Sequence, residues 1–266
     1  MTVDKTTAPV AAPAGPIRVA LAHLALAAGP GERNLDRLAT AGGVAAEAGA
    51  DWVITPEMAV QGYFCLEECG GEGLRPDVAL APLTGLAARH GLTLFLGCAE
   101  RDAGTGALHN SCVVFGPDGR PLGRHRKTRR IGQAESWATP GEAIDPVASP
   151  AGPVGILVCA DSWWTDNTVA LAGKGATAIV VPAAWPPGNH GPDGCWERGS
   201  QLGRVPLFVC NQTGYHPRLD FREAVSMVAI DGASRMDHSG AEAVLLFDWS
   251  PATGEIFGTA FDQRFV

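Results

Sequence analysis

Long apolar runs are missing from this 266-residue chain, since no stretch of about 18 apolar residues occurs that would cross a bilayer. Residues 1–16 are rich in Ala, Pro and Thr, but they lack the continuous apolar core of a secretory signal. From the sequence we therefore expect no membrane partner, a flexible N-terminal tail over residues 1–16 and a cytoplasmic protein.

An excess of positive charge is also missing. The chain has 20 Lys and Arg against 28 Asp and Glu, which gives a formal net charge of -8. This balance argues against sequence-independent binding of nucleic acid, which depends on basic side chains. A basic cluster does occupy Arg124 to Arg130, and we interpret its arginines as structural or as substrate contacts.

Motifs for metal and phosphate are incomplete. Cys65 and Cys69 are four residues apart, but no paired His or Cys set completes a zinc site. The segment Gly173-Lys174-Gly175 lacks the spacing of a phosphate loop. We therefore predict no metal and no cofactor. Seven cysteines, an odd count without a signal peptide, favour free thiols in a reducing compartment.

The composition fits a globular enzyme, because hydrophobic residues make up 46% of a chain long enough to bury a sizeable core. Strand-like apolar stretches alternate with helical ones, which predicts an α/β protein with one domain over residues 17–266. The predicted strands are 17–23, 51–54, 92–98, 108–115, 154–158, 178–181, 207–210, 224–230 and 243–247. The predicted helices are 34–48, 83–90 and 166–175.

Cys159 is the most informative residue, since it ends a short apolar, β-branched run and precedes a predicted helix. A strand-to-helix turn lifts a side chain out of the core and points backbone N–H groups at its neighbour. A thiol in that position can act as a nucleophile beside a ready oxyanion site. Cysteine at a strand end is more often a core residue, however, so this pattern does not decide the question.

Two further charged residues also follow apparent strands. Glu57 comes after the apolar run Val53-Ile54-Thr55-Pro56, and Lys127 lies in the basic stretch after a turn. Glu, Lys and Cys thus occur in chain order near strand ends. Taken alone, each charged residue is more often a solvated group at the end of a strand.

Together these segments resemble the carbon–nitrogen hydrolase, or nitrilase, superfamily over roughly Ile17 to Phe257. Each motif is weak alone, and their order and gaps make the signal strong. The matching segments are Pro56-Glu57 through Gly62-Tyr63, Asn110-Ser111, Pro117-Asp118-Gly119, Arg126-Lys127-Thr128, Glu135 with Pro140-Gly141, Cys159-Ala160-Asp161, and Asn211 with Gly214.

The resemblance implies a four-layer α-β-β-α sandwich of the nitrilase-like fold. It also implies catalytic roles for Glu57 as general base, Lys127 as oxyanion stabiliser and Cys159 as nucleophile, with Glu135 holding Lys127. The backbone N–H of Ala160 would be a second oxyanion donor. Tyr63, Trp163 and Trp185 are further candidate substrate contacts.

Some segments depart from the pattern. Many relatives have an acid in an Arg-Ala-x-Glu-Asn helix, where this chain reads Arg198-Gly199-Ser200-Gln201. These differences affect the substrate more than the chemistry. Hydrolysis of a small amide or carbamoyl amide is the leading hypothesis. Nitrile hydrolysis by the same residues and a non-catalytic binding protein on this fold are the alternatives.

The C-terminal part is rich in large apolar residues, which would not be stable in water. Similar segments cross a twofold interface in relatives, so we expect a homodimer with this tail docked on the partner. A tail folded back on its own domain is the alternative. The residues concerned are Phe247, Trp249, Ile256, Phe257, Phe261 and Phe265.

Overall fold

A computed structural model describes residues 15–28, 32–64, 80–188 and 191–266. Most of the predicted tail over 1–16, and the segment with Cys65 and Cys69, lie outside these residues. The described helices are α1 (Glu32–Glu47), α2 (Ala81–His90), α3 (Thr165–Gly173) and α4 (Cys195–Gly203), with a 3₁₀ turn at Cys159–Trp163.

The strands run in chain order through the whole described chain. They are β1 (Ile17–His23), β2 (Trp52–Ile54), β3 (Thr93–Arg101), β4 (Leu108–Phe115), β5 (Pro121–Arg126), β6 (Val147–Ser149), β7 (Gly152–Ile156), β8 (Ile179–Ala183), β9 (Leu207–Asn211), β10 (Tyr215–His216), β11 (Leu219–Asp220), β12 (Ser226–Ile230), β13 (Ala233–His238), β14 (Ala243–Trp249) and β15 (Ile256–Arg264).

Two large sheets form the centre of the fold. In the first, the spatial order is β15-β14-β1-β2-β3-β4-β5, and in the second it is β13-β12-β9-β8-β7-β6. Strands β1, β2 and β3 are parallel, as are β7, β8 and β9. Parallel neighbours need a crossover connection. Helix α1 supplies it between β1 and β2, and α3 and α4 supply it in the second sheet.

The alternation of side chains along each strand separates the layers. On β1, Val19 and Leu21 pack into the core between the two sheets, together with Ile156 and Phe208 of the second sheet. The intervening Ala20 packs on the other face, in a cluster with buried residues of α1 and α2. Helices α3 and α4 cover the outer face of the second sheet. The predicted α-β-β-α sandwich is therefore confirmed.

The C-terminal segment packs on its own chain. Strand β15 pairs with β14 at the edge of the first sheet, and Ile256 and Phe261 join the core between the sheets. The expectation of a tail docked on a partner is therefore wrong for these residues, because the sheet edge of the same domain already accepts them. Phe265 stays largely exposed. The homodimer itself remains a prediction.

Parallel strands place their carboxyl ends along one edge of a sheet, where ligands bind in open α/β folds. Glu57 follows β2, Cys159 follows β7, Ala184 follows β8 and Gln212 follows β9. A backbone hydrogen bond from Glu57 N to Ala183 O, at 3.3 Å, joins the two sheets at this edge. The fold thus brings together residues that are far apart in the chain.

The buried His23 at the end of β1 predicts an acid sensitivity of the fold. Its Nδ1 lies 3.0 Å from Asn211 O and 2.9 Å from Ser226 Oγ, and its ring packs against His238 with centroids 5.1 Å apart. Burial, with the neighbouring His238, lowers the pKa of His23 from 6.5 to about 4. Between pH 6.5 and about pH 4, His23 therefore binds a proton in the unfolded chain but not in the folded chain.

Stability should consequently fall as the pH drops from about 6.5 towards 4. We expect His23 to account for a loss of unfolding free energy on the order of 3 kcal/mol across that range. In His23→Asn, which keeps a donor near the Nδ1 position, this part of the pH dependence should disappear. Urea unfolding at several pH values measures it, with His90→Gln at the exposed end of α2 as the control. An unchanged pH slope in His23→Asn would contradict the assignment.

Candidate active site

Glu57 lies in a loop that packs directly against strand β3. A Cβ atom at Gly97 of β3 would lie 2.0 Å from Pro56 O, so glycine there allows the loop to rest on the strand. The carboxylate of Glu57 is fully buried. It accepts hydrogen bonds from Asn110 Nδ2 at 2.7 Å, Lys127 Nζ at 2.7 Å and Ala184 N at 3.1 Å. Its orientation is therefore fixed from three sides.

Lys127 follows the edge strand β5 and its ammonium group bridges two carboxylates. Nζ lies 2.7 Å from Glu57 Oε1 and 2.5 Å from Glu135 Oε1. The backbone is anchored as well, because Lys127 N donates to Asn110 O at 2.7 Å and Gly141 N donates to Lys127 O at 2.9 Å. Burial alone would lower the pKa of Lys127, but Glu57, Cys159 and Glu135 raise it, so the side chain stays charged.

Glu135 connects Lys127 to the candidate substrate contact Tyr63. Its Oε1 accepts a hydrogen bond from Tyr63 Oη at 2.8 Å, and its Oε2 accepts one from Ile131 N at 3.2 Å. Both side chains are buried. Burial, with Glu57 and Glu135 close by, raises the pKa of Tyr63 well above its usual value of 10.0, so the phenol remains a donor.

Cys159 occupies the turn that the sequence predicts. Strand β7 ends at Ile156, and Cys159 opens the 3₁₀ turn with a φ of +48°, in the left-handed region that non-glycine residues rarely adopt. Ser162 Oγ donates to Cys159 O at 2.6 Å and stabilises the turn. A strained backbone held this way is typical of functional turns.

The thiol lies in the electrostatic field of all three charged residues. Burial raises the pKa of Cys159 well above its usual value, and Glu57 raises it further. Lys127 and the backbone N–H of Ala184 act in the opposite direction. The pKa of Glu57 is likewise raised by burial, against the effect of Lys127. Burial thus favours the protonated form of the Cys159 thiol at rest.

The two tryptophans predicted as substrate contacts meet in one aromatic group. The rings of Trp163 and Trp185 have centroids 5.6 Å apart, and Trp185 packs edge-on against Trp196 at 5.7 Å. Trp163 is partly exposed, whereas Trp185 is buried. Asn211 fixes Trp185, because its side chain accepts from Trp185 N and donates to Trp185 O, both at 2.9 Å.

Ala160, the residue after Cys159, is buried in the 3₁₀ turn.

Taken together, these contacts place Lys127 against both Glu57 and Glu135, with Cys159 and Tyr63 beside them. No role was predicted for Asn110, although the Asn-Ser strand was part of the motif pattern. Its position opposite Ala99 on the neighbouring strand β3 is a tertiary feature that no local signal reveals.

A buried aspartate links the cysteine turn to the lysine segment. Asp161 Oδ1 accepts hydrogen bonds from Thr128 N at 3.1 Å, Thr128 Oγ1 at 2.8 Å and Arg129 N at 3.0 Å. Its Oδ2 lies 2.8 Å from His125 Nε2. Asp161 is two residues from Cys159, and Thr128 is adjacent to Lys127. We call this connection the elbow clamp, formed by His125, Thr128, Arg129 and Asp161.

Among the described residues, no group of three or more His, Cys, Asp and Glu side chains is arranged to hold a metal ion. None of the described helices combines the length and the apolar character needed to cross a bilayer. The cysteines in the described ranges, which include Cys159, are free thiols.

Comparison with known proteins identifies a family that covers most of the chain. The profile of the carbon-nitrogen hydrolase family matches residues 18–232, and the chain belongs to this family. The omega-amidase NIT2 of Danio rerio is 30% identical over 168 residues, which cover 57% of this chain and 58% of the relative. The chain thus matches little more than half the length of that relative. An aliphatic nitrilase of Sinorhizobium fredii is 34% identical over 96 residues, 35% of this chain and 30% of that enzyme.

Solved structures share the fold over most of the chain. An amidase from Nesterenkonia sp. superimposes with a TM-score of 0.80 at 25% identity and covers 88% of this chain and 90% of its own. A carbon-nitrogen hydrolase from Helicobacter pylori G27 gives a TM-score of 0.80 at 21% identity, with coverages of 90% and 91%. These neighbours place the chain in the nitrilase-like fold.

The elbow clamp predicts an effect on the reactivity of Cys159. Asp161→Asn keeps the size of the side chain but removes the charge that His125, Thr128 and Arg129 contact. We expect alkylation of Cys159 by iodoacetamide to change at least severalfold, because the turn and the Lys127 segment lose their common anchor. Mass spectrometry of the Cys159 peptide measures the rate, with exposed Asp166→Asn as the matched control. Equal rates in both variants and the unmodified chain would contradict the clamp.

Proposed function

We propose that this protein hydrolyses the C–N bond of a small amide or carbamoyl amide through a thioester on Cys159. The observation that carries the proposal is the buried contact of Lys127 Nζ with Glu57 Oε1 at 2.7 Å and Glu135 Oε1 at 2.5 Å, in whose field the thiol lies. This arrangement supplies a base, a fixed positive charge and a nucleophile, which are the groups that acyl transfer requires.

In the first half of the reaction, Glu57 accepts the thiol proton as Sγ attacks the amide carbonyl carbon. The negative charge that develops on the carbonyl oxygen faces the ammonium group of Lys127 and the backbone N–H of Ala160. When the intermediate collapses, the C–N bond breaks and the proton from Glu57 leaves with ammonia or an amine. Burial raises the pKa of both groups, so the thiol and Glu57 are shifted in the same direction before the proton moves between them.

In the second half, the oxygen of a water molecule attacks the carbonyl carbon of the thioester while the Glu57 carboxylate accepts a proton from that water. Collapse of the second intermediate breaks the C–S bond, and the proton returns to the thiolate of Cys159. The net change is amide plus water to carboxylic acid plus ammonia or amine. Glu135 holds Lys127 in place through both steps, and Tyr63 holds Glu135.

The relatives support the same chemistry. The NIT2 proteins of several vertebrates are omega-amidases, and in a mutant of the amidase from Nesterenkonia sp. AN1 the active-site cysteine has undergone Michael addition of acrylamide. The aliphatic nitrilase match supports nitriles as the alternative substrate, since the same residues would serve that reaction. Retention of all four charged and nucleophilic residues argues against a protein that only binds.

A panel assay tests this proposal. Ammonia release from amides, ureides and nitriles should be detectable for the unmodified chain and abolished in Cys159→Ala. Glu57→Gln should lower kcat by about 10²–10⁴-fold, the usual contribution of a general base. Cys112→Ala, a buried thiol in the core between the two sheets, serves as the control and should retain turnover. Faster ammonia release from nitriles than from amides would replace amide hydrolysis by nitrile hydrolysis as the proposed activity. Full activity of Cys159→Ala would refute the mechanism.

We further propose a single domain over residues 17–266, a cytoplasmic location suited to a free catalytic thiol, and a homodimer. Exposed apolar side chains on the second-sheet side, among them Val169 and Leu202, are compatible with a subunit contact. Light scattering at micromolar concentration should give twice the mass of the 27.6 kDa chain. A monomer under these conditions would contradict the dimer.

A further inference from the structure

We propose that a cavity beside Tyr63 binds the distal end of the substrate and that Gln212 selects a neutral N–H donor there. This inference rests on the proposed hydrolysis and deepens it, because it defines the substrate class. The proposed substrates are small amides that carry a second carboxamide or ureide group at the end opposite the scissile bond.

The cavity has a volume of about 180 Å³ and is linked to the candidate catalytic groups through two of its lining residues. Tyr63 lines it, and the hydroxyl of Tyr63 contacts Glu135. Gln212 also lines it, and Gln212 N donates to Ala183 O at 3.2 Å. The residue after Ala183, Ala184, donates its N–H to Glu57. These two links place the cavity in the neighbourhood of Glu135 and Glu57.

The side chain of Gln212 differs from several other buried amides, although the Oδ1 of Asn110 is likewise unpaired among the described residues. Gln61 pairs both its amide atoms with the backbone of Ala99, and Asn34 does the same with Ala27. Asn211 is fully used by Trp185 and Val225. Gln212 is 2% exposed, yet its Oε1 has no hydrogen-bond partner among the described residues.

An unpaired buried acceptor is costly, and binding a donor removes that cost. Gln212 contributes little to the fold through this atom, whereas its neighbour Asn211 is a structural residue. The contrast within one dipeptide indicates that the Oε1 of Gln212 is reserved for a ligand. An N–H group of the substrate is the partner that a carbonyl oxygen requires.

The lining of the cavity narrows the chemistry further. Its walls are largely apolar, with contributions from Leu26, Phe64 and Phe221, which suit a methylene spacer. Arg33 also lines it, while no Asp or Glu does so among the described lining residues. Among the described lining residues, a buried ammonium group would find no counter-charge. A neutral amide N–H meets the acceptor without that penalty, so we assign a carboxamide rather than an amine.

The experiment measures binding in the Cys159→Ala background, so that turnover does not interfere. The probes are the diamides from malonamide to adipamide, the monoamides of matching length, and the corresponding amide acids with a terminal carboxylate. Calorimetry should show at least one diamide binding about tenfold more tightly than its monoamide, the effect expected of one well-placed hydrogen bond. Adding Gln212→Leu should abolish this ratio while leaving the affinity of the monoamide unchanged.

Two further variants serve as controls. Gln263→Leu, the same substitution at an exposed position of β15 outside the cavity lining, should leave every ratio unchanged. Gln212→Glu keeps an acceptor and adds charge, so it should shift the preference towards amides with a terminal amino group. Thermal unfolding confirms that each variant is folded, and Gln212→Glu keeps the proposal testable should Gln212→Leu not fold.

The outcomes separate the subsite from the proposed function. A diamide preference that survives Gln212→Leu, or an equal loss for diamides and monoamides, overturns the subsite even when the unmodified enzyme releases ammonia. Tightest binding of the amide acids, lost in Arg33→Gln, also overturns it. Conversely, a Gln212-dependent ratio in calorimetry without ammonia release by the unmodified chain supports the subsite and refutes the hydrolysis.

Discussion

The burial of one ammonium group between two carboxylates is the constraint on which the site depends. Lys127 Nζ contacts Glu57 and Glu135 where none of the three side chains reaches solvent. Removing such charges from water costs several kcal/mol per ion, so the cluster persists only where further hydrogen bonds complete it. Asn110, Ala184, Tyr63 and Ile131 supply those bonds.

Each of these partners comes from a different part of the fold. Asn110 lies on β4, Ala184 follows β8 in the opposite sheet, and Tyr63 lies in the segment after β2. The ion cluster therefore forms only when both sheets are packed together. Conversely, a shift of either sheet would leave buried charges incompletely paired. The site is thus organised only when the two sheets of the sandwich are packed together.

The cysteine turn shows the same dependence on tertiary contacts. Its left-handed φ is unfavourable for a residue with a Cβ atom, and local hydrogen bonds in the turn offset part of that cost. The elbow clamp adds a link across to the segment of Lys127. Positive charge and nucleophile are consequently held in a fixed relation, which is the condition for electrostatic stabilisation of a developing oxyanion.

From the sequence alone, the alternation of strands and helices could be predicted, and Glu57, Lys127, Glu135 and Cys159 could be named as candidates. Mostly apolar runs such as 17–23 and 207–210 coincide with β1 and β9, because strands buried on both faces carry a continuous hydrophobic signal. Edge strands β5, β13 and β15 escaped prediction, since their exposed faces carry polar and charged residues.

Which side chains meet depends on the tertiary structure. The return of β15 onto its own sheet depends on an available edge, which no local pattern encodes. The same holds for the partners of Asp161 and for the unpaired oxygen of Gln212, both set by contacts between distant segments. Sequence periodicity reports whether a residue is buried, whereas a hydrogen bond requires two groups at a fixed distance, and that distance arises only when the sheets and loops pack.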